Sequence, residues 1–300
     1  MQFIRYRRGA RSVRLGVRDA GGVRDLRAAY ERYRTLGGAP DAALAKALRQ
    51  ASLRALIAAD ARAFHEFLRA QAMQESERVP EEAVTLQAPL HDPGRVIGIG
   101  LNYRDHAREV GQEVADFPPL FAKWTNSLTG PFDPIPLPPD VTALDYEVEL
   151  GIVIGRRACR VAPEEALAYV FGYTVINDVS ARDRQFRTSQ WLAGKIGDGF
   201  APLGPAVTER QDLGDPLVLE LKTWVNGELR QAGHTRDMVH GVAALVSGLS
   251  ELLTLEPGDL IASGTPAGVG MSAKPPRYLR SGDLVRMEIT GLGAIENRVL

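Results

Sequence analysis

Apolar and polar residues alternate most clearly over residues 145–150, which read Asp-Tyr-Glu-Val-Glu-Leu. Successive side chains of a β-strand point to opposite faces, so Asp145, Glu147 and Glu149 share one face. The apolar residues of the run share the other face and lead into Gly-Ile-Val-Ile-Gly, which is apolar enough for a core. The pattern predicts a buried strand with three carboxylates on one side.

These carboxylates repel one another unless a cation neutralises them. A further acid, Asp178, follows the apolar run Tyr-Thr-Val-Ile-Asn at a predicted strand end. Carboxylate oxygens without cysteine or a clear histidine partner favour Mg²⁺, Mn²⁺ or Ca²⁺ over zinc. The residues therefore predict a metal site with oxygen ligands. The alternative is the charged face of an edge strand.

The N-terminal part of the chain has a different pattern and predicts a smaller, separate domain over residues 1–85. Short strands are predicted over 3–7 and 13–17. Within 41–75, apolar residues recur at spacings of three, four and seven, which predicts one amphipathic helix. Polar residues 74–78 and a following proline end that helix.

The remaining part, residues 90–300, predicts a second and larger domain. Short apolar runs separated by Gly, Pro and Asp are typical of consecutive strands in a sandwich or barrel. One amphipathic helix is predicted over 238–255 and a weaker one over 163–170. The chain is thus predicted to be rich in strands with few helices.

Composition narrows the classes of function. The chain has 300 residues, 45% of them hydrophobic and 24% charged, with a net charge of −1. This balance is typical of globular proteins and gives no reason to expect a nucleic acid or an anionic membrane as partner. The single cysteine excludes an intramolecular disulfide and a Cys-rich zinc site. Without a membrane-length apolar run or a signal-peptide pattern, we expect a cytoplasmic protein.

A polar stretch after the apolar run 96–101 predicts a short helix that begins near Asn102. His106 and Glu109 are three residues apart and lie on one face of that helix. A carboxylate beside an imidazole orients the ring and raises its basicity, which suits a base that activates water. An ordinary exposed His–Glu pair is the alternative.

Two lysines and one loop are further candidates. Lys123 ends an apolar run and Lys195 lies among glycines, so each either binds a carboxylate or enolate or lies on the surface. Residues 263–270, Ser-Gly-Thr-Pro-Ala-Gly-Val-Gly, predict a tight loop with backbone N–H groups suited to an anion. No Gly-Lys-Ser/Thr follows, which excludes a P-loop. The run 98–103 lacks the third glycine of a dinucleotide fingerprint.

Five motifs occur in a characteristic order from about residue 90 to the end of the chain. They are Gly100-Leu-Asn-Tyr-Arg-Asp-His, Asp145-Tyr-Glu-Val-Glu-Leu, Asn177-Asp-Val-Ser-Ala-Arg-Asp-Arg-Gln, Gly194-Lys with Phe200-Ala-Pro-Leu-Gly-Pro, and Ser263-Gly-Thr-Pro-Ala-Gly-Val-Gly. In this order they resemble the fumarylacetoacetate hydrolase superfamily, in particular bacterial acylpyruvases and 2-oxo-diene-dioate isomerases. The resemblance implies an α+β fold, a mixed β-roll or β-sandwich with flanking helices. It also implies a homodimer and a variable N-terminal α/β region.

The same resemblance assigns roles to residues. It implies Glu147, Glu149 and Asp178 as ligands of Mg²⁺, or of Mn²⁺ or Ca²⁺, and leaves Asp145 without direct contact to the metal. The implied catalytic residues are His106, Glu109 and Lys195. The implied substrate contacts are Lys123, Arg182, Gln185 and Thr265.

The implied activity is metal-dependent hydrolysis of a C–C bond in an acylpyruvate or another 1,3-diketo acid. The metal would polarise the 2-oxo group and stabilise an enolate, and His106, oriented by Glu109, would activate the attacking water. The same site serves oxaloacetate decarboxylases and muconate-type isomerases or tautomerases, so these remain alternatives. A non-catalytic metal-binding protein is a further alternative, which would need neither the His–Glu pair nor Lys195. Trp124 and Ile196 replace the Pro and Ser common in the family, which leaves the substrate open.

Overall fold

A computed structural model describes residues 1–70 and 78–300. In chain order the strands are β1 (Gln2–Arg7), β2 (Arg14–Asp19), β3 (Gly22–Asp25), β4 (Thr85–Gln87), β5 (Val96–Ile99), β6 (Leu120–Lys123), β7 (Leu128–Thr129), β8 (Leu144–Asp145), β9 (Val148–Ile154), β10 (Val170–Asn177), β11 (Ser180–Ala181), β12 (Ala201–Glu209), β13 (Glu220–Val225), β14 (Glu228–His234), β15 (Leu260–Ala262), β16 (Leu284–Ile289) and β17 (Gly293–Arg298). The α-helices are α1 (Leu26–Thr35), α2 (Ala42–Gln50), α3 (Leu53–Ala58), α4 (Arg62–Ala70), α5 (Arg104–Glu109), α6 (Arg182–Gln185), α7 (Leu192–Lys195), α8 (Arg210–Leu213) and α9 (Val242–Leu252). Short 3₁₀ turns lie at Glu81–Ala83, Thr125–Ser127, Ala166–Tyr169, Thr235–Asp237 and Gly270–Ser272.

The described strands form one large sheet and two smaller ones. The 11-stranded sheet has the order β3-β2-β1-β12-β10-β9-β15-β5-β6, with β4 paired to β1 and β7 paired to β12. Its pairs are antiparallel except β15 with β5 and β12 with β7. A four-stranded sheet has the order β14-β13-β16-β17, and β8 pairs with β11. This mixed α+β architecture confirms the predicted fold class.

Strand β9 lies near the centre of the large sheet and is buried on both faces. Tyr146, Val148, Leu150 and Ile152 pack into a core that also contains residues of α9 and of the four-stranded sheet. Val153 packs instead with the apolar residues of helices α1 to α4. The predicted alternation is thus confirmed, although the strand is broken between β8 and β9. The acids of this run have no solvent-facing side and need partners inside the protein.

The N-terminal strands extend the large sheet. The two predicted strands are present as β1 and β2, and β1 pairs with β12, with Phe3 opposite Val207. The single helix predicted within 41–75 is divided into α2, α3 and α4. Ala51 (φ 50°) and Asp60 (φ 44°) adopt left-handed backbone geometry, which stops a right-handed helix. The predicted helix end falls largely in 71–77, outside the described residues.

Three further elements compare simply with their predictions. The helix predicted over 238–255 is the shorter α9, and the one predicted over 163–170 is only a 3₁₀ turn. The predicted helix near Asn102 is α5, and the Asn102 amide donates to Ser263 O at 2.7 Å, which ties α5 to the glycine-rich loop. Within the described ranges, no helix has the length and apolarity to cross a bilayer. The domain division at 85–90 stays a prediction.

Candidate metal centre and active site

The three predicted metal ligands meet because β9 and β10 are antiparallel neighbours. Ile176 lies opposite Glu149, and the backbone N–H of Asp178 donates to Glu147 O at 2.9 Å. One carboxylate oxygen from each of Glu147, Glu149 and Asp178 lies within 4.8 Å of the other two. All three side chains are buried. This donor set, which consists of carboxylate oxygens alone, can hold a divalent cation.

One side of this triad is lined by cations, which we call the lysine side: Lys123, Arg182 and Lys195. Lys195 Nζ donates to Glu147 Oε2 at 2.8 Å and to Asp178 Oδ2 at 2.6 Å. Arg182 Nη2 donates to Glu147 Oε1 at 2.6 Å, and Lys123 Nζ donates to Asp178 Oδ1 at 2.6 Å. Burial alone would raise the pKa of Glu147, but Lys195 and Arg182 hold it well below its usual range.

Close packing of α7 on α6 brings Lys195 into the site. A Cβ atom on Gly194 would lie 2.5 Å from Gln185 Cβ and 2.7 Å from Ala181 O, so only glycine permits this approach. Burial would lower the pKa of Lys195, but Asp178 and Glu147 raise it above the usual value. The ammonium also lies 4.7 Å from the ring centroid of Phe121. Lys195 is therefore held as a cation.

Glu149 differs from the other two ligands. Its carboxylate accepts one hydrogen bond from the described residues, from Gly264 N–H at 3.0 Å, and pairs with no lysine or arginine among them. Burial, followed by the charges of Asp178 and Glu147, raises its pKa well above the usual range. A buried carboxylate without a counter-charge is the feature that a bound divalent cation compensates. The residues present therefore fit such a cation.

The other side of the triad is the glycine side, formed by the loop 263–271. The sequence predicts that backbone N–H groups of this loop bind an anion, and in the structure they bind the protein's own carboxylates. Gly264 donates to Glu149, and Gly268 donates to Glu109 Oε1 at 2.9 Å. Gly270 and Met271 donate to the two oxygens of Asp145 at 2.7 and 3.0 Å. The loop thus orients one predicted ligand and one predicted catalytic acid.

Asp145 lies outside the triad and is fully occupied. Besides the loop N–H groups, it accepts from Arg182 Nε at 2.9 Å. Because Arg182 also binds Glu147, Asp145 supports that ligand through the guanidinium. The local sequence around Asp145 gives no sign of this contact, because it joins residues 37 positions apart.

The predicted His–Glu pair is formed on α5. His106 Nδ1 lies 3.2 Å from Glu109 Oε2, and the other oxygen of Glu109 accepts from Gly268. His106 is only 7% exposed, so it is not an ordinary surface residue. If Nδ1–H donates to Glu109, Nε2 is the nitrogen free to accept a proton.

A cavity of about 520 Å³ adjoins these groups. Its polar lining includes His106, Glu147, Glu149, Arg182, Gln185, Lys195 and Thr265. Its apolar lining includes Ile99, Leu101, Val110, Phe121, Trp191 and Met271. Most of the predicted site residues therefore face one space. Lys123 does not line this cavity, because its side chain is fully buried and its ammonium is paired with Asp178.

Comparisons with known proteins decide the family. The family model described as "Fumarylacetoacetate (FAA) hydrolase C-terminal" matches residues 95–300. The chain belongs to the fumarylacetoacetate hydrolase family. The matched range lies inside the larger predicted domain, and the family assignment confirms the resemblance drawn from the five motifs.

Relatives within the fumarylacetoacetate hydrolase family include enzymes of more than one activity. Oxaloacetate tautomerase Fahd2a, mitochondrial, of Rattus norvegicus is 44% identical over 74% of this chain and 71% of its own length. The fumarylacetoacetate hydrolase of Exiguobacterium antarcticum is 37% identical, with a TM-score of 0.78 over 100% of this chain and 99% of that chain. A maleylpyruvate hydrolase of Sphingobium sp. SYK-6, solved with manganese(II) and pyruvate, is 31% identical, with a TM-score of 0.76 over 100% and 99%. The word mitochondrial in the first name gives no support to the expected cytoplasmic location.

Proposed function

We propose that the protein is a divalent-metal-dependent enzyme that interconverts the keto and enol forms of a 2-oxo acid, with oxaloacetate as the preferred substrate. The observation that carries this proposal is the convergence of Glu149, Lys195 and His106 on one cavity. These groups provide a cation site, a fixed positive charge and a base. Among the enolate reactions that the sequence leaves open, the 44% identity to an oxaloacetate tautomerase favours tautomerisation.

Glu147, Glu149 and Asp178 would hold the cation, for which we propose Mg²⁺ or Mn²⁺. When bound, it would supply the Lewis-acid charge that favours the enolate form of a 2-oxo acid. The carboxylates are already held in place, because Lys195, Arg182 and the Gly264 N–H bind their other lone pairs. Such preorganisation reduces the reorganisation needed during the reaction.

The protein's own groups can move the proton. His106 Nε2 accepts a proton from C3 of the substrate, and Glu109 stabilises the imidazolium that forms. Lys195 Nζ places positive charge beside the oxygen on C2, where the electron pair of the broken C–H bond collects. Return of the proton to that oxygen completes the enol, so one C–H bond breaks and one O–H bond forms. No other reactant is needed.

The test follows the ultraviolet absorbance of enol-oxaloacetate in the Mg²⁺-loaded protein, with pyruvate release measured in parallel to detect decarboxylation. His106→Gln should lower the tautomerisation rate by about 10²–10⁴-fold, because it removes the proposed general base. Its Mn²⁺ affinity should be unchanged, because His106 is not one of the proposed metal ligands. His234→Gln, which changes a histidine outside the cavity, is the matched control. Wild-type rates in the His106 variant would contradict the proposed role.

A second candidate is hydrolysis of an acylpyruvate, the activity expected from the sequence. The specific observation is that both oxygens of Glu109 are bound, so His106 is oriented well enough to activate water as well. The 31% identity to a maleylpyruvate hydrolase points the same way. Acetylpyruvate should then yield acetate and pyruvate. If its turnover exceeds the tautomerisation of oxaloacetate, hydrolysis becomes the principal activity.

Two further features belong to the proposal. We propose a homodimer, which light scattering of the purified protein tests, and a cytoplasmic location, which microscopy of the tagged full chain tests.

The proposed substrate is a small anion. The four buried carboxylates face three buried cations, so a divalent ion would leave the site with net positive charge. That balance favours an anionic substrate.

A further inference from the structure

Gln231 on β14 makes an unusually complete set of hydrogen bonds beside the metal-ligand strand. Its Oε1 accepts from Val148 N–H at 3.1 Å and from the Thr223 hydroxyl at 2.9 Å. Its Nε2 donates to Pro266 O at 2.9 Å and to Thr265 Oγ1 at 2.8 Å. A backbone N–H only donates and a backbone carbonyl only accepts, so the main chain determines the amide orientation at both ends.

This orientation also determines where the Thr265 proton points. Because Gln231 donates to Thr265 Oγ1, the hydroxyl is the acceptor in that bond. Its own proton is directed to Val148 O, which lies 2.9 Å away. The hydroxyl therefore has no proton left for a substrate carboxylate.

Thr265 nevertheless lines the cavity. Its backbone N–H has no acceptor within residues 1–70 and 78–300, whereas the N–H groups of Gly264 and Gly268 are taken by Glu149 and Glu109. The main-chain N–H is thus the donor that remains at this position. A carboxylate is the ligand group that such a donor suits.

We propose that Gln231 is a positioning residue: it locks the Thr265 hydroxyl onto the metal-ligand strand and leaves the Thr265 main-chain N–H to bind the carboxylate of a 2-oxo acid. We call the hydrogen bonds that join Gln231 and Thr265 to Val148, together with the bond between the two side chains, the clamp. The identity of the bound anion rests on the proposed function, but the clamp does not. Val148, which Gln231 and Thr265 both bind, lies between the ligands Glu147 and Glu149. The clamp therefore supports metal binding as well as substrate binding. The resemblance implies a substrate contact at Thr265, and the proposal assigns that contact to the main-chain N–H.

The test is a double-mutant cycle with two binding readouts. Mn²⁺ affinity is measured by electron paramagnetic resonance, and pyruvate affinity of the Mn²⁺-loaded protein by calorimetry. Gln231→Leu and Thr265→Val should each weaken pyruvate binding by about 10–100-fold, the range for residues that orient ligands. The double variant should bind pyruvate no more weakly than whichever single variant has the lower affinity, because both substitutions break the same clamp. Thr265→Ser, which keeps the hydroxyl, should restore binding to near wild type.

Thr174→Val is the matched control. It also removes a buried threonine hydroxyl, which donates to Gly204 O at 3.3 Å and not to Gln231, and Thr174 is fully buried and away from the cavity. It should lower the melting temperature with both affinities unchanged. Weakened pyruvate binding in this control would mean that general destabilisation explains the effect, and would overturn the proposal.

Other outcomes overturn it as well. Additive losses in the double variant, or pyruvate binding lost in Thr265→Val but kept in Gln231→Leu, would show that the hydroxyl itself contacts the ligand. If Gln231→Leu does not fold by circular dichroism, Gln231→Glu replaces it, because it keeps the size and Oε1 but removes both N–H donors. Wild-type protein that holds Mn²⁺ but binds no 2-oxo acid would overturn the proposed function. In that case the Mn²⁺ affinity of the Gln231 variant decides on the clamp. An unchanged affinity would overturn the clamp, and a weakened affinity would support it.

Discussion

The lysine side and the glycine side of the metal centre hold carboxylates in opposite ways. On the lysine side, Glu147 is bound by two full positive charges, Lys195 and Arg182, at 2.8 and 2.6 Å. On the glycine side, Glu149 has one backbone N–H at 3.0 Å. The two residues are neighbours on one face of one strand, yet the pKa of Glu147 is lowered and that of Glu149 is raised.

The difference shows where the site needs an added cation. Both carboxylates are buried, so both pay the same kind of desolvation penalty. Of the two, only Glu147 forms ion pairs with described residues that offset this penalty. A divalent ion therefore stabilises the glycine side most, while the lysine side keeps its geometry without it. Four predictions test this contrast, and the stability measurements among them use chelator-treated protein.

The largest effect is expected for Glu147→Gln. Removing this charge leaves Lys195 and Arg182 buried with less compensation, and breaking such a buried pair costs about 3–5 kcal/mol. Urea denaturation should show that loss in the free energy of unfolding. Glu164→Gln, an exposed control, should change it by less than about 0.5 kcal/mol. A loss no larger than the control's would mean that the lysine side is not a compensated cluster.

Gly194→Ala tests how the lysine side is assembled. The added Cβ would lie 2.5 Å from Gln185 Cβ, so α7 must move away from α6 and carry Lys195 with it. Overpacking of this kind costs about 1–3 kcal/mol. The variant should also lose activity while its Mn²⁺ binding is affected less, since Glu149 is untouched. Gly248→Ala is a useful comparison, because its backbone is not left-handed and the nearest atom to the added Cβ, Phe117 Cε2, would lie at an ordinary contact distance of 3.7 Å. Full activity in Gly194→Ala would break the link between this packing and Lys195.

Glu149→Gln should have the opposite sign to Glu147→Gln. It removes a buried charge that forms no ion pair with a lysine or arginine among the described residues, so the metal-free protein should gain about 1 kcal/mol of stability at pH 8. The same variant should lose most of its Mn²⁺ affinity. Destabilisation by both substitutions alike would remove the distinction between the two sides.

The pH dependence gives the smallest and most specific signal. Because the folded-state pKa of Glu149 is raised, its contribution to stability is fully present below the unfolded value of 4.5 and is lost as pH rises through the folded pKa. The slope from this single group is at most about 1.4 kcal/mol per pH unit. Mn²⁺ should cancel the decline, and Glu149→Gln should abolish it. An unchanged slope in that variant would assign the decline to another group.

Much of the site follows from local sequence. Alternation over 145–150 places Glu147 and Glu149 on one face, and a helical spacing of three brings His106 to Glu109. Antiparallel pairing of two apolar runs is enough to place Asp178 beside them. These features depend on short-range periodicity, which the chain shows directly.

Other features depend on contacts between distant segments. Gln231 reaches Val148 across 83 positions, and nothing in the local pattern around β14 indicates it. The sequence over 41–75 predicts one helix, yet Ala51 and Asp60 adopt left-handed geometry and divide it into three. The pairing of β1 with β12 likewise joins a strand of the predicted N-terminal domain to a strand of the predicted larger domain. Such long-range pairing leaves little trace in composition or period.

The central claim is that a divalent cation binds between Glu147, Glu149 and Asp178. Anomalous X-ray diffraction from crystals grown with Mn²⁺ tests it most directly. We predict one strong manganese peak in contact with a carboxylate oxygen of each of the three residues, and none in contact with Asp145. A peak bound by Asp145, or saturating Mn²⁺ that leaves no peak at the triad, would contradict the account.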